Sequence, residues 1–181
     1  KHAVPYHGPE GILSAIDMPA LIATARHGGS VVEVNLRVGG YIWENSPAIN
    51  VYGAAPADAE KLQRGLIVAE ERTLTQDPAF AIRAIVDIAI RALSPAVNDP
   101  TTASQALDVL EPLLHRLARR DLGAGYVHDA DGTLRVIHHA PDWKDLIDLA
   151  LTEIRFYGAG AIQVERRLKS LLLGLRNSCP P

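Results

Sequence analysis

The stretch RAIVDIAIRALSPAVNDPTTASQALDVL, residues 83–110, joins a strongly apolar run to a polar break. Within the run, Arg83, Asp87 and Arg91 recur at every fourth residue, which places them on one face of a helix. The other positions are mainly isoleucine, valine and alanine, and this pattern predicts a central helix with a single charged stripe. Because burying an unpaired charge is costly, the stripe needs carboxylate partners or a bound ligand. The expected partners of Arg91 are Asp99, Asp108, Asp77 and Glu71.

The polar break is predicted to end one helix and to begin another. Asp99 is a favourable N-cap and Pro100 a favourable first helical residue. Two interpretations remain open: an ion-pair network that fixes helix packing, or a pocket in which arginines and free helix N–H groups bind a small anion. We call this corner the polar elbow, and its candidate ligand-binding residues are Arg83, Asp87, Arg91, Ser94, Asn98, Asp99, Thr101 and Thr102.

The composition of the chain argues against several classes of function. The 181 residues carry a net charge of −3 and only 5% aromatic residues, so the charge and stacking features of nucleic-acid-binding proteins are missing. A single cysteine, Cys179, excludes a disulfide within the chain and suits a reducing compartment. The histidines lack metal-site spacing, and GxSxG, P-loop and GxGxxG motifs do not occur. We predict no metal and no cofactor, and the sequence identifies no catalytic residue.

One segment, residues 79–97, is apolar enough to suggest a membrane span. Its three charged residues would each cost about 2.5–3.5 kcal/mol at a bilayer centre, which favours a helix of a soluble domain instead. The chain begins at Lys1 without a methionine and shows no signal-peptide pattern. We therefore expect a piece of a longer protein.

The period of the hydrophobic pattern changes along the chain from strand-like to helical. Residues 1–55 are predicted to form a small β-rich lobe with one short helix, which Asp17 caps. Residues 56–181 are predicted to form a mainly helical lobe with one β-hairpin near residues 126–139. The predicted class is α+β, and the two lobes are also compatible with one compact domain.

Aspartate and proline residues mark the predicted helix ends in the second lobe. One helix is predicted from Ala57 to about Thr75, and another begins at residues 77–78. The helix that begins at residues 99–100 is expected to be kinked or divided by Pro112. Two last helices are predicted at residues 142–157 and 161–176.

The last predicted helix groups four leucines next to basic residues. Leu168, Leu171, Leu172 and Leu175 recur at helical spacing. This arrangement is typical of core packing, and the alternative is a self-association or membrane-proximal face.

Several motifs in the chain together resemble a bacterial family of predicted integral membrane proteins, the domain of unknown function numbered 2254. Residues 72–110 resemble the hallmark segment of that family, and the matching motifs are Arg72-Thr73, Gln76-Asp77, Ala92-Leu93-Ser94-Pro95, Asn98-Asp99-Pro100 and Thr102-Ala103. Residues 11–53 look like the family's β segment. Residues 153–172 look like its Arg-x-Tyr-Gly segment.

The resemblance implies the soluble part of a bacterial membrane protein whose N-terminal transmembrane helices lie outside this chain. The expected location is the cell membrane, with this domain facing the cytoplasm. The expected role is regulation, ligand sensing or assembly of the membrane part, and the expected partners are those transmembrane segments, a second copy of the chain or a small anion. Two alternatives are a hydrolase that acts on an anionic substrate at Arg83, Arg91 and Asp99, and a homo-oligomerisation module without a ligand site.

Overall fold

The computed structural model describes residues 1–53, 58–122 and 125–178, which form six helices and eight strands. The predicted α+β class is confirmed. The chain divides into two compact units. Unit 1 comprises Lys1–Asp77 with Gly123–Ala140, and unit 2 comprises Pro78–Leu122 with Pro141–Pro181. Cys179 and the predicted lobe boundary at residues 55–56 lie outside the described residues.

Unit 1 contains the predicted hairpin, which the sequence had assigned to the helical lobe. The hairpin strands are β7 (Tyr126–His128) and β8 (Leu134–His138), and β8 pairs in parallel with β3 (Val31–Val34). A two-stranded hairpin is marginally stable alone, and this pairing gives it a place in a larger sheet. The pairing joins residues about a hundred positions apart, which a local pattern does not report.

The larger sheet of unit 1 has five strands in the order β1, β5, β3, β8, β7. Strand β1 spans His2–Val4 and β5 spans Ile49–Tyr52, and β5 is antiparallel to both β1 and β3. Helix α1 (Met18–His27) packs against β3 and β8. The predicted alternation holds in β3, where Val32 and Val34 are fully buried.

A second, three-stranded antiparallel sheet has the order β4, β2, β6. These strands are Tyr41–Ile42, Gly11–Ile16 and Leu66–Ala69. The predicted helix from Ala57 to Thr75 is wrong beyond its first turns, because α2 covers only Ala59–Arg64. The chain then enters β6, since backbone pairing with β2 satisfies hydrogen bonds that a longer helix would satisfy internally.

Unit 2 consists of four helices around an aliphatic core. They are α3 (Pro78–Ala92), α4 (Pro100–Ala118), α5 (Trp143–Tyr157) and α6 (Ile162–Ser178). Helix α3 packs on α4 and α5, whereas α4 also packs on α6. Helix α4 continues through Pro112, whose side chain is exposed, so the predicted division into two helices does not occur.

The predicted aspartate caps are present at three helices. Asp17 accepts a hydrogen bond from the Ala20 N–H, and Asp142 accepts one from the Asp145 N–H. Asp99 caps α4. These short-range contacts depend on a few neighbouring residues, and for that reason the sequence predicts them well.

Candidate functional site

Arg83, the first cation of the predicted stripe, contacts two carboxylates. Its Nε donates to Asp87 Oδ1 at 2.7 Å, within α3. Its two terminal nitrogens donate to both carboxylate oxygens of Glu153, on α5. About a quarter of the Arg83 side chain is exposed. The guanidinium therefore links α3 to α5 and has its donors directed at protein carboxylates.

The same contacts shift the proton equilibria of the pair. The hydrogen bonds that Arg83 donates to Glu153, and less strongly its hydrogen bond to Asp87, raise the pKa of Arg83, while partial burial opposes the rise. The hydrogen bond from Arg83 lowers the pKa of Glu153. Both groups are therefore charged at neutral pH.

Arg91 lies two helical turns beyond Arg83 and has a different environment. Its side chain is exposed and makes no hydrogen bond or ion pair with another described residue. Of the partners expected for it in the same unit, Asp99 caps α4 and Asp108 pairs with Arg167 of α6. Within the charged stripe, Arg83 therefore contacts another helix, whereas Arg91 lies in solvent.

The corner after α3 is stabilised by hydrogen bonds between its own backbone groups. The carbonyl of Ser94 accepts hydrogen bonds from the N–H groups of Val97 and Asn98, at 3.1 and 2.8 Å. Asn98 adopts the left-handed conformation with φ of 47°, which asparagine tolerates better than most residues. The N–H of Asp99 then donates to the carbonyl of Ala92 at 2.8 Å.

The first turn of α4 is occupied by the chain's own carboxylate. Asp99 Oδ1 accepts hydrogen bonds from the N–H groups of Thr101 and Thr102, each at 3.1 Å. Thr102 Oγ1 donates to Asp99 Oδ2 at 2.6 Å. These bonds, led by the one from the Thr102 hydroxyl, lower the pKa of Asp99. The N–H groups that the sequence offered to an anion are directed at Asp99.

The structure therefore separates the eight candidate residues of the polar elbow into four places. Arg83 and Asp87 form a network with Glu153, and the second group is the cap formed by Asp99, Thr101 and Thr102. The Ser94 carbonyl and the Asn98 backbone form the corner, and Arg91 stands apart. Glu153 was missed because it lies 70 residues from Arg83 in the chain. No local spacing signals such a partner.

Two other motifs of the hallmark segment make hydrogen bonds within unit 1. The Gln76 side chain accepts a hydrogen bond from the Ile16 N–H at 3.0 Å and donates one to the Ile16 carbonyl at 3.2 Å. Arg72 Nε donates to the buried carboxylate of Asp77 at 2.9 Å. Gly39, with φ of 88°, lies so close that an added Cβ would be 2.4 Å from Asp77 Oδ2. These motif residues hold a chain segment in place.

The Arg-x-Tyr-Gly segment forms the turn between α5 and α6. Gly158 is buried, and a Cβ at that position would lie 2.6 Å from Val164 Cγ1 and 2.7 Å from the Ile154 carbonyl oxygen. Close approach of the two helices therefore requires glycine there. Phe156 and Tyr157 are exposed and pack edge to face, with ring centroids 5.2 Å apart.

An open feature of unit 2 lies between α5 and α6, which we call the apolar groove. Its volume is about 760 Å³. Buried Leu151 and Leu168 lie at the bottom of its lining, while Leu172 and Leu173 are each nearly half exposed. The remaining lining residues are Ile147, Asp148, Thr152, Arg155, Glu165, Lys169 and Arg176.

The described ranges contain neither a cluster of metal ligands nor a helix that could span a membrane. Among residues 1–53, 58–122 and 125–178, no three His, Cys, Asp or Glu side chains are arranged to hold a metal ion. Within the same ranges, each helix is too short or too polar to cross a bilayer.

Comparison with known proteins identifies the relatives of this chain. The model of the family described as Predicted membrane protein (DUF2254) matches residues 2–173. The chain belongs to this family. It is 35% identical over 141 residues to uncharacterized proteins of Mycobacterium tuberculosis and Mycobacterium bovis, a match that covers 77% of this chain and 26% of each relative. The chain thus spans about a quarter of the length of these relatives. None of the solved structures matches it.

Proposed function

We propose that this chain is a cytoplasm-facing domain of a bacterial membrane protein, and that it serves the assembly or regulation of the membrane-embedded part. The observation that carries the proposal is the apolar groove, an open leucine-lined surface in a chain that spans about a quarter of the length of its relatives. An exposed apolar surface of this kind marks a contact with another protein segment. The family description and the single cysteine also support the proposal.

The experiment uses the Mycobacterium tuberculosis relative. The region that matches this chain is deleted, and both forms are purified from membranes in detergent. We expect the shortened protein to remain in the membrane fraction and to change its assembly size in light scattering. The deleted region, added back as a separate purified chain, should bind the shortened protein. Unchanged assembly and no binding in trans would reject the proposal.

A hydrolase of an anionic substrate at the polar elbow receives less support from the geometry. The Arg83 guanidinium and the Thr101 and Thr102 N–H groups, which an anionic substrate would need, are already directed at Glu153, Asp87 and Asp99. The homo-oligomerisation module is separated from the proposal by light scattering on the 181-residue chain. A stable oligomer that buries the apolar groove would favour that alternative.

A further inference from the structure

We infer that the apolar groove binds an amphipathic helix that presents a leucine-rich face and carries carboxylates on its flanks. The inference rests on the proposed function, because such a helix would belong to another part of the assembled protein.

The shape of the groove suits a helix. Its lining residues on α6 run from Glu165 to Arg176 at intervals of three or four residues, so they share one face over three turns. At 1.5 Å per residue this face is about 16 Å long, which matches a partner helix of roughly 11 residues. A trough between two helices is the usual receptor for the apolar face of a third.

The packing of unit 2 explains why this trough is open. Helix α5 packs mainly on α3, and α6 packs mainly on α4, so α5 and α6 contact each other over only a short length. Leu151 and Leu168 complete the core from below. Leu172 and Leu173 lie above them in contact with solvent, and covering them with an apolar face would remove that surface from water.

The charges around the groove are unbalanced in a specific way. Arg155, Lys169 and Arg176 line it and make no hydrogen bond or ion pair with other residues of the described ranges. Asp148 and Glu165 also line it, but both are engaged. Asp148 pairs with Lys144, and Glu165 accepts a hydrogen bond from the Gly160 N–H at 2.9 Å.

The three cations are distributed along the groove. Arg155 is in the last turn of α5, Lys169 lies in the middle of α6, and Arg176 lies in the last turn of α6. Elsewhere in the same unit, Arg83 and Arg167 each contact two carboxylates. The cations of the groove are therefore available to form ion pairs with carboxylates of an apolar partner, along both of its sides.

A flat membrane surface fits these observations less well than a helix. A bilayer surface contacts protruding side chains, whereas Leu151 and Leu168 lie at the bottom of a trough. A helix with leucines at positions i, i+3, i+4 and i+7 reaches that depth, and glutamates on its flanks would meet Arg155, Lys169 and Arg176.

The test uses the 181-residue chain and two fluorescent peptides of equal length. Both carry the same leucine face, but one has glutamate and the other lysine at every flanking position. Binding is measured by fluorescence anisotropy. We expect the glutamate peptide to bind, and the lysine peptide to bind at least about tenfold more weakly. The affinity of the glutamate peptide should fall as salt concentration rises.

Variants of the chain locate the binding site. The double variant Lys169→Glu, Arg176→Glu should lose the preference for the glutamate peptide or reverse it. Leu172→Asp should abolish binding of both peptides, while circular dichroism shows that the helices persist. Arg91→Glu makes the charge change of one of the two substitutions in the double variant at an exposed cation that does not line the groove and has no partner among the described residues, and it should leave binding unchanged.

Several outcomes would overturn the inference. These are no binding of the glutamate peptide, equal binding of both peptides, or an equal loss of binding in Arg91→Glu. Sedimentation with phosphatidylglycerol vesicles that depends on Leu172 would point to a lipid surface instead, and a dimer lost in Leu172→Asp would point to a second copy. If the peptides fail while binding in trans to the shortened relative persists, the proposed function stands and this groove is not its site.

Discussion

The polar elbow and the apolar groove lie in the same four-helix unit, yet they satisfy their charges in opposite ways. In the elbow, Arg83 is held by Asp87 and Glu153, and Asp99 occupies the free end of α4. In the groove, Arg155, Lys169 and Arg176 have no such partners among the residues that the structure describes, and leucines face solvent. Apart from Arg91, which is exposed, the charges of the elbow are therefore satisfied within the unit, whereas the groove is open to the occupant that we propose.

The most recognisable motif of the sequence has a structural role in the elbow. The Asn98-Asp99-Pro100 string attracts attention as a site because it is polar and follows an apolar helix. In the structure it ends one helix and caps the next. The open surface lies in a segment whose leucines look like ordinary core residues in the sequence.

The largest expected difference separates two neighbouring leucines of α6. Leu171 is fully buried and Leu172 is about half exposed. Leu171→Ala should lower the free energy of unfolding by about 2–5 kcal/mol, because it leaves a cavity. Leu172→Ala should change it by about 0.5 kcal/mol or less, because it removes surface contacts only.

The measurement is urea unfolding followed by the fluorescence of Trp143, on α5. A Trp43→Phe background removes the signal from the other tryptophan, which lies in unit 1. If the two leucine variants unfold at the same urea concentration, the contrast between a closed core and an open groove is wrong.

The next largest effect is expected in the turn between α5 and α6, the two helices that form the groove. Gly158→Ala should lower the free energy of unfolding by about 1–3 kcal/mol, because the new methyl group would overlap Val164 and the Ile154 carbonyl. Val164→Ala makes room for that methyl group, so the double variant should lose less stability than the sum of the single variants. Strict additivity in the urea unfolding of the four proteins would argue against the clash.

The cap at the elbow should have a smaller effect that depends on pH. Asp99→Ala should cost about 0.5–2 kcal/mol at pH 7 by removing the cap, whereas Asp99→Asn keeps the hydrogen-bond acceptor and should cost less. The folded-state pKa of Asp99 is lowered by the Thr102 and Thr101 hydrogen bonds. Its electrostatic contribution is therefore present above the unfolded pKa of about 4 and is lost as pH falls through the lower, folded value.

Denaturation at pH 7 and at pH 3 checks this prediction. The stability difference between the native chain and Asp99→Asn should shrink at the lower pH, because pH 3 lies below the unfolded pKa of about 4 and part of the carboxylate's contribution is lost there. A difference that grows as the pH falls would have the wrong sign and would contradict the cap as described.

The smallest expected difference separates the two arginines of the stripe. Arg83→Ala should lower the free energy of unfolding by about 1 kcal/mol, because a partly exposed ion pair contributes little. Arg91→Ala should change it by about 0.5 kcal/mol or less, since it removes no described contact. A double-mutant cycle of Arg83→Ala with Glu153→Ala measures the coupling, and zero coupling would mean that the pair adds no stability.

Patterns within about twenty residues predicted much of the fold. The caps at Asp17, Asp99 and Asp142 are present, and the alternation that predicted β3 is confirmed. The hairpin itself was also predicted, but its assignment to the helical lobe was wrong. The partner strand of β8 lies near residue 32, and only backbone hydrogen bonding over that separation decides which sheet the hairpin joins.

The candidate site was predicted as a set of residues but without its contacts. Helical periodicity identified the stripe of Arg83, Asp87 and Arg91. It did not distinguish the arginine that meets Glu153 from the arginine that meets water, because that depends on where α5 crosses α3. The same limit applies to α6, where Leu171 and Leu172 are adjacent in the sequence and differ in burial.

By itself, the sequence determined the α+β class, the capped helix starts and the membership of the family that the comparisons established. These properties depend on local backbone preferences and on short motifs, which a linear chain displays directly. Only the tertiary structure decided that the polar elbow, apart from the exposed Arg91, is satisfied within the chain and that the apolar groove is open. Pairing and burial depend on which distant side chains come within contact distance, and the packing of α3 to α6 fixes those distances.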